Sequence, residues 1–161
     1  MLPSMWRSEL LHPLSVHFPI ALLIVGSVFY VLSIFLKHDY FKSLRKFSFL
    51  LIVIGTTTAW ISIFTGSLAE DVVGPMLCDP EIRLNHEDFS YYVAYMFTAF
   101  ILFHILSETL LLKYTKFFVA LNLILVLSGT ASLAYTSHLG ATLTYQQGAG
   151  VYNPGLECKG F

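Results

Sequence analysis

The chain has 161 residues, of which 56% are hydrophobic and only 12% charged, with a mean hydropathy of +0.70 and a formal net charge of −1. Soluble domains carry about 25% charged residues, so most of this surface is made for a solvent other than water. Basic stripes and nucleic-acid modules are missing. So are nucleophile–base motifs, phosphate loops and dinucleotide fingerprints, which argues against nucleic-acid binding and leaves an electron carrier or accessory subunit better supported than a free-standing enzyme.

A membrane-spanning helix needs about 20 mostly apolar residues, and four segments qualify, at residues 16–36, 47–68, 89–112 and 117–137. None shows the two-residue alternation of strands, and in lipid a helix satisfies its own backbone polar groups. The expected fold is an all-α bundle of four transmembrane helices, forming one domain over residues 1–161. The start of the chain lacks a basic leader and a small-residue cleavage site, so the first segment is expected to be retained. Pro19 is best tolerated in a first turn, which starts the first helix near His17. Asn85 followed by Asp88 reads as a helix cap with an acidic first turn, which starts the third helix at His86. The fourth helix has room to continue to Tyr145 before Gly148, Gly150, Pro154 and Gly155 end it.

Direction follows from the basic residues near the span ends. The 1–2 and 3–4 connections hold Lys37, Lys42, Arg45, Lys46, Lys113 and Lys116, against Arg7, Arg83 and Lys159 on the other side. Both termini and the 2–3 loop are therefore expected outside the cytoplasm. Cys78 in that loop and Cys158 in the tail would then share an oxidising compartment, where a disulfide persists. The alternative is two unpaired thiols. The chain has no Cys-x-x-Cys-His for covalent haem attachment.

Four histidines distant in sequence fall in this outer layer: His12 and His17 at the entry of the first helix, His86 at the start of the third, and His138 near the outer end of the fourth. Neutral imidazole suits haem iron and other transition metals, and a bundle core is a usual place for ligands from facing helices. The expectation is one b-type haem, or another transition metal, between His17 and His86. His138 and His12 are alternative ligands, or groups that orient the ligands or bind propionates. Taken singly, each histidine is as well explained by a hydrogen bond to water or headgroups. A non-haem site with Glu87 or Asp88, and a cofactor-free subunit that docks membrane partners, remain alternatives. On the inner half of the third helix, His104 and Glu108 share a face four residues apart. They form either a polar site or a structural hydrogen bond. Small residues at 55–59 and 128–132 allow close helix approach or room for a flat macrocycle.

The entry LHPLSVHFPIALL (residues 11–23), the HEDFSYY start of the third helix and the terminal HLGATLTYQQGAGV (residues 138–151) resemble the domain of unknown function 2231 family of small four-helix bacterial membrane proteins. The terminal match departs from the family's usual Gly-Gly pair, since Gly140 is followed by Ala141. The resemblance implies the fold and an integral position in a bacterial inner membrane. Some relatives are joined to c-type cytochrome domains, which implies a redox setting with electron-transfer partners in a respiratory or photosynthetic complex.

Overall fold

The computed structural model describes residues 6–35, 40–110 and 115–151. A 3-10 turn, Ser8–Leu10, leads into a short helix α1, Leu11–Ser15, and then into α2, His17–Phe35. Three long helices follow: α3, Tyr40–Val73; α4, Pro80–Leu110; and α5, Thr115–Gln147. A second 3-10 turn, Gly74–Met76, links α3 to α4. Four helical stretches are long and apolar enough to cross a membrane, and the described residues contain no strand. Large apolar side chains such as Phe18, Phe64, Leu102 and Ile124 point outward, as they must where lipid is the solvent.

Helix α2 begins at His17 as expected, and α1 runs as helix before it, so the first apolar stretch extends over Ser8–Phe35 and carries His12. The expected start of the third helix needs correction: α4 begins at Pro80, well before His86. Pro80 sits at the first helical position, where its missing N–H costs nothing. The Asp79 side chain accepts a hydrogen bond from the Glu81 N–H at 2.9 Å, the usual helix N-cap contact. Asn85 is therefore inside the helix and caps nothing. Helix α5 does run past Tyr145 and stops at Gly148 and Gly150, both at positive φ (69° and 71°).

The helices pair as two hairpins, α2 on α3 and α4 on α5, and the hairpins are copies of each other. A shift of 74 residues carries Leu23 onto Phe97, Tyr30 onto His104, Ser48 onto Asn122, Ile52 onto Val126, Ala59 onto Leu133 and Ser62 onto Thr136, and all twelve are buried. The same shift carries Gly55 onto Gly129. Because both hairpins run in the same direction, the pseudo-two-fold axis lies along the bundle, the arrangement of parallel repeats. The halves meet through Thr130 Oγ1 donating to Ser27 Oγ (2.9 Å) and the Trp60 indole N–H donating to Thr98 Oγ1 (3.2 Å).

Within each hairpin a glycine sets the approach distance. A Cβ at Gly55 would lie 2.8 Å from Leu23, and one at Gly129 would lie 2.9 Å from Phe97. Overpacking a filled core costs about 1–3 kcal/mol. Gly129→Ala is expected to cost more than Gly55→Ala, because the aromatic ring of Phe97 yields less readily than the branched end of Leu23. Unfolding in mixed micelles with increasing denaturing detergent measures the difference.

Candidate functional site: a histidine pair on the pseudo-two-fold axis

At the end of the bundle that holds the 2–3 loop, the two hairpins part around a cavity of about 460 Å³. Its walls are mainly apolar, with Ile20, Ala59, Ile63, Val93 and Leu133 below and His12, His17 and His86 around it. Ligand pockets fall at about 300–1,000 Å³, apolar with a few convergent polar groups.

His12 is placed by the lead-in helix. Ser15 ties α1 to α3 through its hydroxyl contact with Thr65 Oγ1 (2.9 Å), and that holds His12 Nδ1 at 2.9 Å from the Ser62 carbonyl. The same construction recurs in the second half. His86 Nδ1 lies 2.9 Å from the Thr136 carbonyl. In both cases the carbonyl is 50 residues further on. In both, the residue four positions after that carbonyl is a glycine, Gly66 or Gly140. A Cβ there would stand 3.2 Å from the His12 ring or 3.1 Å from the His86 ring. Glycine therefore opens the helix flank so that an imidazole can reach a carbonyl already engaged in the helix.

A carbonyl only accepts, so each Nδ1 carries the proton. In the neutral ring that leaves the Nε2 lone pair uncommitted. The two rings face one another with centroids 6.1 Å apart and planes at 86°. At the mouth of the cavity, the Arg83 guanidinium holds Glu70 and also lies 3.4 Å from Glu87.

The structure thus brings His12, rather than His17, against His86. His17 lines the cavity but is exposed. His138 is exposed and is not among the lining residues. Its counterpart across the repeat, Phe64, is exposed as well. At 100° per residue, position 138 turns away from the face that carries Thr136 and Gly140. Glu87 is committed to Arg83, and Asp88 is exposed. Among the described residues, no group of three or more His, Cys, Asp or Glu side chains could hold a metal ion. Cys158 lies outside the described residues, and none of the described cysteines is free. On the opposite half, His104 is buried while Glu108 is exposed, and His104 Nδ1 has no hydrogen-bond partner.

A bundle of four apolar, span-length helices, doubled about its own axis, defines the chain as a polytopic membrane protein. It belongs to the domain of unknown function 2231 family, described as a predicted membrane protein, whose model matches residues 9–153. No curated protein and no solved structure matches the chain.

Proposed function

We propose that the protein is a b-type haem protein of a bacterial inner membrane, carrying electrons near the outer face with His12 and His86 as the two axial ligands. The observation that carries this reading is the pair itself: two imidazoles that line one apolar cavity with centroids 6.1 Å apart, each held by its own backbone carbonyl. Haem needs only two ligands from the protein, because its porphyrin supplies four more. Zinc and non-haem iron ask the protein for three or four, and no such set is present among the described residues.

The Nδ1–H contacts to carbonyls are of the kind that fix ring orientation and raise ligand basicity at metal-bound histidines. His12 and His86 would hold the haem, which would supply one-electron transfer when bound. The charge bias of the connections supports a position of this end outside the cytoplasm. There Cys78 would share an oxidising compartment with Cys158, where a disulfide persists. Electron donors and acceptors would dock at this face.

The test is an absorption spectrum of protein purified after expression with ample haem. The expected result is a reducible Soret and α band that persists in His17→Ala and His138→Ala. Colourless, folded protein rejects the reading, and stoichiometric metal without a haem spectrum replaces it with a non-haem site.

A further inference from the structure

The other end of the pseudo-two-fold axis carries a polar cluster with one residue from each long helix: Tyr30 of α2, Arg45 of α3, His104 of α4 and Asn122 of α5. Tyr30 and Asn122 are 0% exposed and His104 is 6% exposed. The Tyr30 and His104 rings lie 6.0 Å apart at 78°, and the Arg45 guanidinium stands 5.7 Å from the centre of the Tyr30 ring. Asn122 and Arg45 lie near the Tyr30 hydroxyl but outside strict hydrogen-bond geometry: Tyr30 Oη, His104 Nδ1, Asn122 Oδ1, Asn122 Nδ2 and Arg45 Nε each lack a partner that meets it.

Buried polar atoms are nearly always paired, by protein or by ordered water, and an unpaired one costs about 1–3 kcal/mol. Five such atoms in one place exceed what a stable bundle would leave unmet. Their chemistry narrows the occupant. The set includes obligate donors (Nε of Arg45 and Nδ2 of Asn122), an obligate acceptor (Oδ1 of Asn122) and two groups able to do either (Tyr30 and His104). An anion would satisfy only the donors, and a cation only the acceptors. Water does both, and a buried water typically makes about three such bonds. Phe49 and Phe100 both pack against the His104 ring, with centroids 4.6 Å and 5.5 Å away. None of the four residues lines the outer cavity.

We infer that Tyr30, Arg45, His104 and Asn122 form a binding site for internal water in the inner half of the bundle, joining all four helices at their axis. Tyr30 and His104 are equivalent positions in the repeat, and Asn122 is the equivalent of Ser48. The end with the 2–3 loop carries two like imidazoles beside a large cavity, whereas this end carries a donor–acceptor mixture. Arg45, only partly buried, is the member through which this water would exchange with the inner surface.

Radiolytic hydroxyl labelling read by mass spectrometry tests this site in the intact protein in detergent or nanodiscs, because radicals form on bound water beside buried side chains. Tyr30 and His104 are expected to label several-fold faster than Phe97, which is equally enclosed. In Asn122→Leu the Tyr30 rate is expected to fall toward that of Phe97. Labelling of Tyr30 in the unaltered protein no faster than Phe97 would overturn the inference, whether or not the Asn122 variant folds. The outcome is independent of any haem at the outer end.

Discussion

Substituting His86→Ala is expected to abolish the low-spin haem spectrum of the purified protein, and His12→Ala is expected to do so to the same extent. Equality is the informative part. The two histidines are related by the 74-residue repeat, both are bound through Nδ1 at 2.9 Å, and both lean on a glycine. Neither is therefore privileged as a ligand. The fold should survive each change. Neither ring belongs to the buried core cluster, and one lost hydrogen bond contributes only about 0.5–1.5 kcal/mol. Far-ultraviolet circular dichroism of the apoprotein checks that survival, and added imidazole is expected to restore the low-spin bands in both variants by filling the vacated position. The 86° angle between the rings adds a spectroscopic consequence. Perpendicular axial planes leave two iron d orbitals nearly degenerate, so the ferric protein is expected to give a strongly anisotropic low-spin electron paramagnetic resonance signal. Loss of the spectrum in His17→Ala but not in His12→Ala would show that the pair has been assigned wrongly.

The four spans were legible because lipid imposes a simple demand, long apolar runs with no unpaired backbone, and nothing else in the chain competes with it. Their ends were less so. At residues 80–88 two start signals overlap: Asn85 with Asp88, and Asp79 with Pro80. The earlier one wins because Pro80 pre-sets the helical φ and Asp79 caps it. Local composition could not rank them, since both are sound caps and only the turn after α3 decides where the chain comes free.

The outer histidine layer was also legible, but the pairing within it was not. Pro19 drew attention to His17 as the start of the first helix, whereas the ligand geometry is set five residues earlier by a short helix held through Ser15 and Thr65. The signal that could have identified His12 was present as a repeat. His12, Gly55, Thr56 and Gly66 recur at the same spacing as His86, Gly129, Thr130 and Gly140. It is faint because lipid-facing positions need only be apolar. Identity therefore survives only where backbone approach or imidazole binding demands one residue type. The inner cluster escaped for a related reason: Tyr30, Arg45 and Asn122 come from three different helices, and only the packing brings them to His104.

That residue-specific demand leads to the second large effect. Gly66→Val and Gly140→Val are each expected to weaken haem retention by about 5- to 150-fold, the equivalent of the 1–3 kcal/mol that overpacking costs. A Cβ alone would already stand 3.2 Å from His12 or 3.1 Å from His86. The branched side chain must push the ring off its carbonyl, because the helix backbone behind it cannot retreat. The ring then loses the Nδ1 contact that fixes its orientation, so the proposed ligand would be misaimed even where the helix remains intact. Competition for haem with apomyoglobin reads these affinities. Alanine at 66 and 140 is expected to fall between glycine and valine, because a few tenths of an ångström of ring movement relieves a single methyl but not three carbons. If valine at both positions left haem affinity unchanged, the carbonyl contacts would not be what aims the imidazoles, and the cavity would have to hold its occupant by some means other than two anchored axial ligands.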